Sequence, residues 1–266
     1  MVEDNFASQA RAFQISTPAY EYWGKAHSLA ADRLEFAFRS AILLTVFTGD
    51  IGSGKSTVVR KVVTKSQEQR LIGAFSYSPT FSVDPCFAIL DAFGAEVNFA
   101  DKESHRHTLQ QSLLNVRTEF ELPTVVVDDA HRITDQQLSN LFDLAGFNDD
   151  NRDALFKIIL VGHPKLYERL NNDKSDLLGP SFVLEAMTKE DTAIYIEHRL
   201  KAAGCSKIPF TADALNSIFE RTAGNPHQIN LLCKAAINEA TALGGIKIDA
   251  DMIRECSVPS RIFVDV

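Results

Sequence analysis

Short, largely apolar runs alternate with amphipathic stretches over the first two thirds of the chain, and after that only amphipathic stretches follow. The runs Ile42 to Phe47, Leu71 to Tyr77, Pro123 to Val127, Phe156 to Gly162 and Phe182 to Leu184 lack the polar alternation of a sheet with one wet face. They suit strands of a parallel sheet covered on both sides. Between them the 3.6-residue spacing predicts helices. His27 to Arg39 carries Leu29, Leu34, Phe36 and Phe38, and Ser56 to Ser66 carries Val58, Val59, Val62 and Val63. A third helix starts at Asp84-Pro85, with Asp as cap and Pro at the first position, and stops at Gly94. His105 to Glu119 and the stretch after Thr134, with Leu138, Leu141, Phe142 and Leu144, add two more, and Lys165 opens another.

From Thr188 the pattern is helical throughout. Thr188-Lys-Glu-Asp191 reads as a capping box, Thr211 caps a helix ending near Gly224, Asn225-Pro226 restarts the chain into Gln228 to Leu243, and Asp249 caps a last short helix. The expected organisation is therefore an N-terminal strap and helix over residues 1–40, an α/β domain over 41–185, and a small all-helical domain over 186–266.

The chemistry lies where the first apolar run breaks. Gly49-Asp50-Ile51-Gly52-Ser53-Gly54-Lys55-Ser56-Thr57 follows a strand and opens a helix, the order a phosphate-binding loop requires. Gly49, Gly52 and Gly54 let the backbone curl so that several N–H groups face an anion, and the helix adds the positive end of its dipole. Lys55 supplies a full charge, Ser56 a hydroxyl for Mg²⁺, and Thr57 fits packing better than ligation. The run ending in Asp128-Asp129 is the second landmark. Beside a phosphate loop, the first acid at such a strand end holds Mg²⁺ and the next positions the attacking water, so Asp128 and Asp129 receive those roles; the pair could otherwise cap the next helix. Two further features carry plainer readings. The aromatic strap from Phe13 to Tyr20 could cover a nucleotide base but fits core packing better, and His105 and His107, two apart, read as a solvated face rather than a metal site.

Composition bounds the rest. The chain has 266 residues, 45% of them hydrophobic, enough for a sizeable core. Its four cysteines, Cys86, Cys205, Cys233 and Cys256, are scattered without zinc spacing, so reduced intracellular thiols are expected. The acidic N-terminus does not read as a secretory signal, no apolar run reaches a membrane span, and a cytoplasmic protein is expected. A formal charge of −8 weighs against a surface dominated by nucleic acid, although a local basic patch would fit within it.

Taken together, Phe47-Thr-Gly-Asp-Ile-Gly-Ser-Gly-Lys-Ser, Val126-Val-Asp-Asp-Ala-His131, Ile159-Leu-Val-Gly-His-Pro-Lys-Leu and Ala223-Gly-Asn-Pro-His-Gln-Ile-Asn-Leu-Leu-Cys233 resemble the AAA+ ATPases, and more narrowly their ExeA/GspA type. The resemblance covers about Phe13 to Ile253. It implies a P-loop NTPase with a three-layer αβα domain around a parallel sheet, followed by a helical lid, with ATP and Mg²⁺ in the cleft between them and assembly into rings or filaments. The chain departs from that pattern at Asp129, where the family has Glu, at His163, where it has Gln, and at His227, where it has the lid arginine that contacts phosphate. The arginines typical near Leu178-Gly-Pro-Ser181 are missing, leaving Arg152 and Arg169 as candidate donors to a neighbouring subunit's site. His163 reads also as a turn cap and His227 equally as a solvent-facing side chain.

Three functions follow as expectations. The resemblance implies a Mg²⁺-dependent ATPase that remodels a protein assembly, with an envelope-associated partner in secretion or polysaccharide export. A DNA-associated AAA+ helper in transposition or replication is the second. The departures at Asp129, His227 and the missing arginines make a third, a nucleotide-gated switch that scarcely hydrolyses. ATP is expected to promote self-association, with the assembly as the active form; a chain that stays monomeric would leave the switch.

Overall fold

A five-stranded, all-parallel sheet in the order β2-β3-β4-β1-β5 organises the larger part of the molecule. The computed structural model describes residues 9–13, 24–66, 72–77, 84–95, 102–116, 122–146, 154–173, 178–205, 207–244 and 247–257. The elements are α1 (Lys25–Arg39), β1 (Leu44–Gly49), α2 (Lys55–Ser66), β2 (Ile72–Ser76), α3 (Pro85–Ala92), α4 (Lys102–Val116), β3 (Thr124–Asp128), α5 (Asp135–Ala145), β4 (Lys157–Gly162), α6 (Lys165–Asp173) and β5 (Phe182–Leu184). The helical remainder is α7 (Lys189–Ala202), α8 (Ala212–Thr222), α9 (Pro226–Ala242) and α10 (Ala250–Glu255). The chain divides into two compact units, one drawn from Leu29–Ile51 and Lys55–Leu184, the other from Met1–Ser28, Gly52–Gly54 and Glu185–Val266.

In the sheet unit, every residue of β1, β3 and β4 is buried, which is why these strands read as apolar runs without alternation. Val46, Val127, Ile158 and Leu160 join Ile89 and Leu90 of α3, Leu109 and Leu113 of α4, Leu141 and Phe142 of α5, and Leu166 of α6 in one core. Their strand neighbours Phe47, Val126, Ile159 and Val161 are buried on the opposite face. There α2, with Val58, Val59, Val62 and Val63 buried, lies along β1, β2 and β4. This gives the expected three layers. β1 begins two residues later than its apolar run, because Ile42 and Leu43 are only half-buried, and runs to Gly49 because Phe47–Gly49 pairs Phe182–Leu184. The Phe47 and Phe182 rings stack there at 4.8 Å.

Two local devices differ from the sequence reading. The reciprocal capping box forms at Thr134, whose side chain accepts from Gln137 N while Gln137 Oε1 accepts from Thr134 N. At Thr188 the hydroxyl accepts from Asp191 N but also donates to Asp191 Oδ2, so only half a box is made. His105 is not on a solvated face. It is 1% exposed, and its Nδ1 donates to Asp84 Oδ2 at 2.5 Å, while Asp84 Oδ1 accepts from Phe87 N as the α3 cap. A largely polar α4 thus turns one histidine inward to satisfy a buried carboxylate, whereas His107 is exposed as expected.

The helical unit has its own core, built from Tyr195, Ile196, Ile218, Ile229, Cys233, Ile237 and Ile253. Residues 9–13 belong to it. Phe13 is buried edge-on against Phe210, so at this end of the strap the core reading is the one observed; residues 14–20 lie outside the described ones. Arg199, buried in α7, donates to Ala12 O at 2.6 Å and to the Tyr195 hydroxyl at 3.3 Å, and that hydroxyl donates to Asn230 Oδ1. The αL turn Ala223-Gly224 packs against Met187, whose carbonyl would sit 1.9 Å from a Cβ on Gly224. All four cysteines are free and buried, and burial beside Asp84 pushes the Cys86 thiol up to about 11. None is an activated thiolate.

The inward histidine gives a direct check on this packing. His105→Ala should destabilise the protein by about 2–4 kcal/mol in urea unfolding, through a cavity and an orphaned Asp84 oxygen, and His107→Ala by less than about 0.5 kcal/mol. Equal effects would contradict the buried pair.

Candidate functional site

Because all strands run parallel, Gly49, Asp128 and Gly162 end at one edge of the sheet, where the loops that follow them gather. From β1 the chain enters the glycine loop. Lys55, the first residue of α2, turns its half-buried side chain back so that Nζ donates to Gly49 O at 2.9 Å and Asp50 O at 2.8 Å. Burial lowers its pKa, and the facing charges of Asp128, Asp129 and Asp50 oppose that shift. The ammonium is therefore anchored by main-chain oxygens and set against the acids of β3, the next strand but one. Ser56 is exposed in the first turn of α2 and Thr57 is half-buried, in keeping with a packing role for the latter.

Asp128 ends β3 8% exposed, and one of its oxygens accepts from Asp129 N at 2.9 Å. Asp129 adopts a left-handed conformation, φ 56° and ψ 28°, ahead of the 3₁₀ turn Ala130–Arg132, and its carboxylate makes no capping bond. Asp is among the few residues that enter this region readily. The short acid thus stands free of the turn it introduces, which sets aside the helix-capping alternative for it.

The residues after β4 serve as braces. His163 Nδ1 accepts from Lys165 N at 3.4 Å, so this ring caps α6, the plainer of its two readings. Arg169 donates to His131 O, Ile133 O and Asp135, tying α6 to the turn after β3. A guanidinium committed to three acceptors of its own chain is a poor donor to a neighbour's phosphate. Arg152 lies outside the described residues. His131 had drawn no role from its sequence position, yet it faces the charges of Asp129, Lys55 and His163, and its Nδ1 has no hydrogen-bond partner among the described residues. Its backbone presses on Gly162, where a Cβ would lie 3.0 Å from His131 N. The signal that could have found it is the tight turn implied by four residues between Asp128 and a β-branched Ile133.

In the helical unit, Asn225 Oδ1 caps α9 by accepting from His227 N and Gln228 N. His227 N also donates to Gly52 O at 3.3 Å. A Cβ on Gly52, where φ is 79°, would lie 2.5 Å from the His227 Cβ, so only glycine fits there. His227 therefore meets the loop through its main chain and Cβ.

No group of three His, Cys, Asp or Glu among the described residues makes a preformed metal cage. One recessed carboxylate with a spare oxygen, Asp128, and one exposed hydroxyl, Ser56, are hard oxygen donors. They fit Mg²⁺, which keeps several waters and takes the rest of its shell from phosphate.

A glycine loop between β1 and α2, acids at the end of β3 with β4 intervening, and this strand order define a P-loop NTPase of the AAA+ class. Residues 40–170 match the AAA domain family, and this match supports an AAA+ ATPase of the ExeA/GspA type. It is 28% identical over 246 residues to General secretion pathway protein A of Aeromonas hydrophila, covering 89% of this chain and 44% of that one. The chain thus spans less than half the length of this relative. Among solved structures, its fold is similar to Drosophila ORC bound to DNA, with TM-score 0.67, 14% identity, and coverage of 95% of this chain and 65% of that one. It is also similar to Cdc6p from Pyrobaculum aerophilum, with TM-score 0.64, 17% identity, and 88% and 66% coverage. Among the described residues, no helix is long and apolar enough to cross a membrane.

Burial lowers the pKa of both His27 and His131 from 6.5. The unfolded chain then binds more protons than the folded one below that pH, so the stability these residues contribute is complete above about pH 6.5 and lost as the pH falls toward the depressed folded values. Denaturant unfolding should show stability declining between pH 6.5 and about 5, ahead of carboxylate protonation. The double variant His27→Gln, His131→Gln should flatten that decline. An unchanged slope would contradict the assignment.

Proposed function

We propose that this chain binds ATP with Mg²⁺ at the glycine loop and hydrolyses it to ADP and phosphate, using the turnover to remodel a protein assembly. The observation that carries the reading is Lys55, anchored to loop carbonyls and facing Asp128 and Asp129. An ammonium so placed favours the charge of the β- and γ-phosphates, and the glycine backbone supplies N–H groups beside it. Asp128 and Ser56 would hold Mg²⁺, which when bound neutralises charge shared by those two phosphates. Asp129, free of its own turn, would orient a water and accept its proton. His163 would act here as a brace for α6 rather than as a direct phosphate contact, and His227 as a main-chain contact to the loop.

A secretion or envelope role rests on the likeness to the Aeromonas protein, and the partner would be a protein at that surface. Self-association on nucleotide binding is part of the reading, because Arg169 is spent within its own chain and a charge on the γ-phosphate needs a cation from elsewhere. A second reading is a nucleotide switch with little turnover. It is favoured by the shorter acid at position 129, whose carboxylate reaches one methylene less far than a glutamate. Turnover stimulated by DNA would instead support a DNA-associated role.

Two variants separate binding from chemistry. Lys55→Ala should weaken ATP binding by at least about tenfold in calorimetry, since a charge-assisted contact to phosphate contributes about 1.5–3 kcal/mol. Equal affinity would remove the loop from the account. Asp129→Asn should bind ATP within about twofold of the parent and lose turnover by about a hundredfold or more, because an amide accepts no proton. Undiminished phosphate release would assign the water to another residue, and no measurable release from the parent would favour the switch.

A further inference from the structure

The tip of the glycine loop is held by a residue that no part of the phosphate-loop pattern contains. His27, near the start of α1, is 5% exposed, and its Nε2 lies 3.1 Å from Ser53 O. A carbonyl oxygen can only accept, so Nε2 carries the hydrogen. Burial favours the uncharged ring, with Asp191 the carboxylate that faces it. The fit is close. A Cβ on Gly54, where φ is 103°, would lie 2.8 Å from that same Nε2.

One residue earlier, Gly52 O accepts from His227 N at 3.3 Å. Two successive peptide units, Gly52–Ser53 and Ser53–Gly54, therefore have their carbonyls fixed by groups outside the loop. All described peptide bonds are trans, and in a trans peptide the N–H points opposite to the C=O. Fixing the two carbonyls thus aims the Ser53 and Gly54 N–H groups away from His27 and His227. Neither N–H donates to any group among the described residues. Consecutive N–H groups presented in this way form an anion-binding concavity.

We propose that His27 is a positioning residue of the phosphate site: by donating Nε2–H to Ser53 O it presets the peptide orientation that turns the Gly54 N–H toward a bound phosphate. Without the bond, the Ser53–Gly54 peptide is free to rotate, helped by the wide dihedral range of its glycine, and the site must order that unit each time it binds. The inference rests on the loop being a nucleotide site, as argued above. It adds a requirement for a donor at one atom position, which a purely packing role of the ring would lack.

The test is ADP binding by calorimetry, with thermal unfolding of each ligand-free variant recorded alongside. His27→Phe keeps the ring volume and removes the donor, and should weaken ADP by roughly tenfold. His27→Gln carries an amide N–H at nearly the Nε2 position and should restore affinity to within about twofold of wild type. His27→Asn, whose amide stops short of Ser53 O, should bind as poorly as the Phe variant and serves in its place should that one not fold. Gln and Phe variants that bind ADP equally, whether both well or both poorly, overturn the proposal. Lys55→Ala is the control for the site itself. Loss of ADP binding in Lys55→Ala with full binding in His27→Phe rejects the role of His27 alone, whereas indifference of ADP to Lys55→Ala rejects the nucleotide site and this inference with it.

Discussion

The ammonium of Lys55, held between the carbonyls of Gly49 and Asp50 and set against the acids at the end of β3, is the interaction on which the other features of the site depend. A half-buried cation loses hydration, and that loss must be offset by fixed oxygens and opposing charge. Both come from the sheet. β1 ends at Gly49 and delivers the carbonyls, while β3 ends at Asp128 and delivers the carboxylates. The buried register of β1, β4 and β3 fixes how far apart those ends lie, so the apolar faces of the strands and the chemistry at their tips are parts of one constraint.

Around that charge the loops are braced by residues that do no chemistry of their own. Arg169 ties the turn carrying His131 to α6, His163 caps α6, and Gly162 leaves room for the turn to approach β4. In the helical unit, His27 and His227 fix consecutive carbonyls of the loop tip. A phosphate site needs N–H groups oriented before the anion arrives, since ordering them afterwards subtracts from affinity. His27 and His227 both meet the glycine loop at its main-chain oxygens, and the Ser53 and Gly54 N–H groups donate to no group among the described residues.

Much of this was legible in the sequence, and the reasons are physical. Fully buried parallel strands carry no polar alternation, so β3 and β4 could be placed from their apolar runs, and Asp84-Pro85, Thr211, Asn225-Pro226 and Asp249 mark helix starts through bonds the structure contains. The glycine loop and the acid pair stood out because their spacing follows from local backbone geometry. The misplaced features are those set by tertiary contacts. His105 is drawn inward by an Asp twenty-one residues earlier, and Arg169 is consumed by oxygens more than thirty residues away. His27 precedes Ser53 by 26 residues, and nothing in its own helix announces the contact. Such pairings leave no periodic trace, since only the fold brings the partners together.

The account turns on phosphate recognition by the loop, and the most direct measurement is the affinity of the unmodified protein for AMP, ADP and ATP, each with Mg²⁺, by calorimetry. The arrangement of Lys55, Asp128 and the glycine N–H groups predicts that AMP binds weakly, and that affinity rises by at least about tenfold on adding the β-phosphate, the first group Lys55 is placed to reach. AMP binding as tightly as ADP and ATP would contradict the account, because recognition would then lie with the base and sugar and the loop would hold no phosphate.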